Sequence, residues 1–248
     1  MKKILTITLC ILLALTFTAG CVSINFTPVF GSGLTGTGSL ETYTFNVGEI
    51  THVRVELLCN IVYNSAPSDT VTLKIQPNLM EHVTVEEING ILTVRATRNI
   101  NITGTGNTPV LTVSTPSLTR VSHTGAGNFT TIDPITTDSF TLDITGAANG
   151  KAMLNVNDLT VNISGAGDLT LTGTAETNNI SMTGAGRLEA LDLETRTTTI
   201  NMAGAGSVKI NATEELNITA GGVGTIEYKG SPSIDITRGG IVTVKQIS

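Results

Sequence analysis

Three histidines, three cysteines and 20 acidic residues are the groups in this 248-residue chain that could bind metal, attack as nucleophiles or move protons. Gly165-Ala-Gly167-Asp168 has the glycine–acid spacing of a calcium turn, where a carboxylate and backbone carbonyls wrap the ion. A calcium roll needs an acid at nearly every turn and a nonapeptide period. The equivalent positions here are Asn128, Arg187, Ser207 and Thr225, so no metal is expected. His52, His82 and His123 are scattered, and His123 falls where alternation turns a side chain inward, which favours a hydrogen-bonded histidine at the end of the core over a ligand or catalyst. Cys59 also faces inward and reads as a small core hydrophobe. Spacing alone puts no serine, histidine and acid on one surface. No G-x-x-x-x-G-K-[ST] loop exists and no Gly-Ala-Gly turn opens a helix, which excludes phosphate-loop and dinucleotide cofactors. Polysaccharide cleavage needs carboxylates converging on one face. Asp143, Asp168, Glu189, Glu227 and Asp235 are scattered instead, and without tryptophan only Tyr43 and Tyr63 could serve as sugar platforms, Tyr228 pointing inward. A threonine array able to order ice is also missing, since the columns before the turns read Asp143, Asn162, Ser181, Asn201, Thr219 and Thr145, Ser164, Thr183, Ala203, Gly221.

The amino terminus carries chemistry of another kind. Lys2 and Lys3 precede an apolar run, Ile4 to Phe17, which is too short for a comfortable membrane span. The segment ends Thr18-Ala19-Gly20-Cys21 and resembles the lipobox of bacterial lipoproteins, although leucine is usual where Thr18 stands. The resemblance implies removal of residues 1–20 as a signal peptide and acylation of Cys21, hence membrane anchorage without a spanning helix. Cleavage takes away two lysines and no acids, so 228 residues remain and the formal charge moves from −6 to −8. Such a chain, without a basic cluster, does not suit nucleic acid. Cys10 leaves with the signal and Cys21 is lipidated, so Cys59 has no disulfide partner. Residues 22–39 are rich in glycine and threonine and uncharged, and 21–39 reads as a lipidated cysteine with a flexible tether.

The element that must position everything else is a repeated turn. Thr124-Gly-Ala-Gly127, Thr145-Gly-Ala-Ala148, Ser164-Gly-Ala-Gly167, Thr183-Gly-Ala-Gly186, Ala203-Gly-Ala-Gly206 and Gly221-Gly-Val-Gly224 place their first glycines at 125, 146, 165, 184, 204 and 222, every 18–21 residues. A period near twenty with one turn phrase per period marks a stacked fold. Around Gly165, Leu159, Val161 and Ile163 alternate with Thr160, Asn162 and Ser164, and Leu169 and Leu171 follow with the same alternation. Apolar side chains therefore point in and polar ones out. The pattern predicts an all-β, single-domain parallel β-solenoid or β-helix, each coil built as strand, tight corner, strand and looser polar turn. The expected corner glycines are Gly125, Gly127, Gly146, Gly165, Gly167, Gly184, Gly186, Gly204, Gly206, Gly222 and Gly224, adopting positive φ, with the intervening alanines tucked into the corner. Outward residues five places after each first glycine, Thr130, Lys151, Thr170, Glu189, Lys209 and Glu227, should form one column.

Residues 40–115 are β-rich without the phrase: Val53 to Tyr63 alternate, Asn89-Gly90 marks a hairpin, and Thr103-Gly-Thr-Gly-Asn107 marks a loop. We read 40–115 as the irregular first part and 116–248 as the regular repeats of one domain. The motifs Tyr43-Thr-Phe45, His52-Val-Arg-Val55, Val71-Thr-Leu-Lys-Ile75, Glu86 to Val94 and Thr115-Pro-Ser-Leu118, followed by the glycine turns, resemble the auto-transporter adhesin head GIN domain family over about residues 40–228. The resemblance implies a β-solenoid at the bacterial cell surface or in the periplasm and supplies no catalytic residues. The expected protein is a non-enzymatic, lipid-anchored envelope module that binds a protein or glycan surface. A polysaccharide-active β-helix enzyme and a structural or signalling accessory of the envelope are the alternatives, and the last solenoid edge could pair with another copy.

Overall fold

The computed structural model describes residues 33–102 and 106–248, and Gly33–Ser248 form one compact unit. The expected signal peptide, Cys21, the start of the tether and residues 103–105 of the loop lie outside the described residues. The unit is about 70% strand and 2% helix, a β-solenoid of about 7 turns.

The repeats fold by one rule. Strands β10 (Arg120–His123), β11 (Ala126–Thr131) and β12 (Ile135–Ile144) lead into four long strands, β13 (Ala147–Ile163), β14 (Ala166–Met182), β15 (Ala185–Met202) and β16 (Ala205–Ala220). Each long strand runs from one glycine corner to the next, and β17 (Val223–Lys229), β18 (Ser233–Arg238) and β19 (Ile241–Gln246) finish the stack. All pairings among them are parallel and join neighbouring coils. One coil cannot bury its own apolar face, but stacking makes a continuous core. Leu159, Val161, Ile163, Leu169 and Leu171 are all buried, and the same register buries Ile180, Met182, Leu188, Ile200, Met202, Val208 and Ile210. The predicted outward column is present: Thr130 faces Lys151, then Thr170, Glu189, Lys209 and Glu227 follow in register. Lys209 Nζ lies 3.1 Å from Glu189 and 4.0 Å from Glu227.

The corners depart from expectation in their cause. Among the phrase glycines only Gly127 (φ 134°) and Gly224 (φ 159°, almost extended) have positive φ. The first glycines are needed for close approach instead. A Cβ on Gly146 would sit 1.8 Å from the Gly125 carbonyl oxygen, and one on Gly165 1.8 Å from that of Gly146. Gly184, Gly204 and Gly222 repeat the contact. Each corner backbone rests directly on the one before. The alanines between the glycines are not tucked in: Ala147, Ala166, Ala185 and Ala205 are exposed. Ala148, which replaces the second glycine of its phrase, is the one that points into the core and is fully buried.

The first part is less irregular than its sequence. Strands β1 (Leu34–Thr35), β2 (Glu41–Asn46), β3 (His52–Glu56), β4 (Asn60–Asn64) and β5 (Thr70–Ile75) precede a short helix, α1 (Pro77–Met80), then β6 (Val83–Ile88), β7 (Ile91–Ala96), β8 (Ile100–Asn101) and β9 (Val110–Ser114). β3 and β4 form a coil lying parallel to β10 and β11 on one side and to β7 and β9 on the other. The coil made first is thus enclosed by coils made later. β6 joins β7 antiparallel through Asn89 (φ 53°) and Gly90 (φ 80°), the positive-φ pair an Asn-Gly hairpin requires. β5 and β2 continue the other ladder antiparallel. Residues 34–38, expected to belong to the tether, are instead tied to the unit: β1 pairs with β8, and the backbone carbonyls of Gly38 and Thr35 accept hydrogen bonds from Gln76 and Asn78.

Candidate functional site

The strands before the corners lie flat side by side, so their outward residues make columns across the coils. One column reads Arg54, Ser122, Asp143, Asn162, Ser181 and Asn201. At its start the structure assembles a set that spacing could not. His52 Nε2 is 3.0 Å from Ser122 Oγ, and Ser122 donates to Asp143 Oδ2 at 3.1 Å. Arg120 also donates to that oxygen, from Nε at 2.9 Å and with its terminal nitrogen at 2.7 Å, while Asn162 donates to Oδ1 at 2.8 Å. The members match a hydrolase triad in type but not in role. A triad serine gives its proton to histidine, which an acid orients. Here the serine proton is directed to the carboxylate, so His52 must act as donor to Ser122. Burial first, then the charges of Arg54 and Arg120, hold the His52 pKa below its ordinary value, with Asp143 opposing. The set is a polar brace tying four coils together. Serine activation by His52 does not follow from it.

A second constellation lies on the segment that closes each coil. Residues 154–158 of β13 pair with β12 and β14, and the next coils continue through 173–177, 194–197 and 211–215. The register slips between Ala190 and Glu194 against β16, and again between Thr195 and Thr197. Beside these bulges, which re-aim local side chains, lies a groove of about 520 Å³, whose wall includes Asn155, Asn157, Glu176, Glu194, Arg196 and Glu214. Arg196 stands at its centre, its Nε 3.0 Å from Glu176 and its terminal nitrogen 3.3 Å from Glu214. Thr174 donates to Asn155 Oδ1 at 3.4 Å, and Asn157 Nδ2 donates to Asp138 at 3.1 Å. Among the described residues the Glu194 carboxylate has no hydrogen-bond or ion-pair partner. Glu176, Glu194 and Glu214 therefore converge on one groove although none of them stood out among the acids of the sequence. The core behind is also polar: Thr195 and Thr198 hydrogen bond at 2.7 Å, and the amide of buried Asn178 has no protein partner.

The other sequence candidates separate. Asp168 lies between Asn149 and Arg187 in its column, and no acid from a neighbouring coil joins it there. Tyr63 is 1% exposed and is a core residue, which removes it as a sugar platform, whereas Tyr43 is half-buried at the first ladder's edge. Cys59 is buried and free, its thiol pushed up to about 12 by burial. His123 is fully buried as expected, but it sits between Val55 and Ile144 in mid-stack and not at a core end. Neither ring nitrogen has a well-formed hydrogen bond. Burial lowers its pKa, and nearby backbone groups of Leu57 and Ala126 oppose only part of that effect.

Residues 49–232 match the profile of the family described as "Putative auto-transporter adhesin, head GIN domain". The chain belongs to this family. Among solved structures, a putative adhesin of Bacteroides fragilis is 26% identical, with a TM-score of 0.80 over 87% of this chain and 100% of that one. A putative adhesin of Parabacteroides merdae is 21% identical, with a TM-score of 0.62 over 87% of this chain and 99% of that one. A putative lipid binding protein of Parabacteroides distasonis is 19% identical, with a TM-score of 0.66 over 88% and 100%. These last two share the fold. A comparison with curated proteins finds no match. Family and fold together mark the head GIN chain as an adhesin-like protein of the bacterial surface or envelope.

Proposed function

We propose that this chain is a non-catalytic, lipid-anchored module that presents its stacked sheet for contact with a protein or glycan surface. The observation that carries the contact reading is the pairing of head GIN membership with a rigid stack whose outward columns are small, polar and already braced against one another. Anchorage rests on Thr18-Ala-Gly-Cys21 in the sequence, and it would hold the unit at a membrane facing the periplasm or the exterior. The reading is tested by retention of the purified mature chain on bacterial envelope fractions and host surface material. Specific saturable retention is expected, and none across a broad panel would remove adhesion.

The convergence of Glu176, Glu194 and Glu214 keeps a polysaccharide-active enzyme as the second reading. Glycoside hydrolysis wants one carboxyl held protonated as the acid and a second free to act as base or nucleophile. Two of these three carboxylates are instead spent on the Arg196 guanidinium, which favours binding. Release of new reducing ends or unsaturated products from a panel of polysaccharides, lost on Glu194→Gln, would reverse that preference.

A further inference from the structure

We propose that the groove across β13–β16 is a binding site for a neutral polysaccharide, whose vicinal hydroxyls hydrogen bond to Asn155, Asn157, Glu194 and the Arg196 clamp; this rests on the surface-contact reading above. A sugar hydroxyl both donates and accepts, so it suits a wall that alternates amides, carboxylates and a guanidinium. The wall offers such groups in register. Asn157, Glu176, Arg196 and Glu214 form one column, with Asn155, Thr174 and Glu194 beside it. Adjacent coils stand roughly 4.8 Å apart, about the length of one sugar ring, so a glycan lying across the coils meets a fresh polar group at each residue.

Charge selects among glycans. Glu176, Glu194 and Glu214 against Arg196 leave the groove acidic within a chain of net charge −6, which repels uronate and sulfate polymers. The same acidity would draw a basic peptide, but two features oppose one. Glu176 and Glu214 already have their cation in Arg196. Peptides dock on sheets mainly by adding a strand to an edge, and most of this groove's floor, on β13, β14 and residues 194–196 of β15, is sheet face paired on both sides. The side chains are also held before binding. Arg196 is fixed from two coils and Asn155 by Thr174, so less conformational freedom is lost when a ligand arrives. Without an aromatic platform each site is weak, and many copies on one surface would supply the avidity.

The test is affinity electrophoresis of the full mature chain in gels containing neutral, uronate-bearing or sulfated polysaccharides, at low and high salt. At least one neutral polymer should retard the chain, with little dependence on salt. The double variant Asn155→Ala/Asn157→Ala should weaken that association by about tenfold or more, with its melting midpoint unchanged. Ser181→Ala, in the column of the other face, should bind like the parent. Retardation that survives the double variant, retardation by anionic polymers alone, or none by any neutral polymer would each overturn the proposal. In the last case, retention on envelope or host material in the separate assay would show that the contact reading survives without the groove. Salt-sensitive capture of a basic peptide, lost in the double variant, would assign the groove to protein and equally overturn it.

Discussion

Replacing Gly165 with alanine tests the physical account of the fold at its most demanding point. The new Cβ would lie 1.8 Å from the Gly146 carbonyl oxygen, where ordinary contact begins at 3.4 Å, so the two corner backbones must part by about 1.6 Å (3.4 − 1.8) along that line to reach it. That oxygen now accepts from Ala166 N at 2.8 Å, and the Gly165 oxygen accepts from Ala185 N at 2.9 Å. Parting the corner stretches the first bond beyond bonding distance and tilts the second. Overpacking of this kind costs about 1–3 kcal/mol, and each weakened hydrogen bond about 1 kcal/mol. The sum is roughly 3–5 kcal/mol, which at about 2–4 °C per kcal/mol lowers the melting midpoint by roughly 6–20 °C. Gly221 is the control, because a Cβ there meets nothing within 4 Å, and Gly221→Ala should melt within a few degrees of the parent. Gly165→Asn separates the two explanations for the glycine. Asparagine tolerates positive φ far better than alanine does, yet it carries the same Cβ. If the corner needs close approach, Asn and Ala are equally damaging by differential scanning calorimetry. A Gly165→Asn protein that melts like the parent, or an undisturbed Gly165→Ala, would refute the argument.

Three further outcomes are expected. Cys21→Ser should move the protein from the membrane to the soluble fraction on cell fractionation, and continued membrane association would refute the acyl anchor. The lowered His123 pKa means the folded core refuses a proton that the unfolded chain accepts, so stability is full above the ordinary histidine value of about 6.5 and falls as pH drops below it. His123→Leu should flatten part of that slope in urea titrations at pH 7.5 and 5.5, His52 acting in the same direction; an unchanged slope would show that His123 takes up its proton in place. Asp143→Ala strips Arg120, Ser122 and Asn162 of their common acceptor and should cost about 1.5–3 kcal/mol, read as a shift in the urea midpoint, while a loss under 0.5 kcal/mol would show the brace to be idle.

The repeats were legible because two independent signals agree in them. The period sets which residues stack, and the alternation sets which face each shows, so Glu189, Lys209 and Glu227 could be aligned from sequence and are aligned in the structure. The first part hid its coils for a physical reason. Each corner glycine is forced by the carbonyl of the coil preceding it in the stack, as Gly125 is by Leu57 and Gly127 by Cys59. On that side the β3–β4 coil meets β7 and β9, whose connection is the long stretch between Ala96 and Val110 and no tight corner. Leu57, Leu58 and Cys59 can therefore keep their side chains, and the coil carries no glycine phrase to announce it. For the same reason His52 could not be joined to Ser122. They are neighbours across a step of 70 residues that breaks chain order.

The column that walls the groove follows the same period as the corners. Asp138, Asn157, Glu176, Arg196 and Glu214 are separated by 19, 19, 20 and 18 residues. The first glycines from Gly146 to Gly222, those of the same coils, are separated by the same steps, 19, 19, 20 and 18. The period that marks the corners therefore also marks this column, and sign alternation at its end, Glu176, Arg196, Glu214, foretells the two ion pairs that form. What spacing could not supply is the hollow. It adjoins bulges at 191–193 and 213–214, where the register slips, and a slip leaves the count per coil almost unchanged. Columns in a solenoid can thus be read from sequence as soon as its period is known, whereas concavity depends on where each coil stores its extra residue. A search for sites in such a chain should extend the period through the loose turns as well as the tight ones, because a turn free to bulge is the part of the coil able to enclose a ligand.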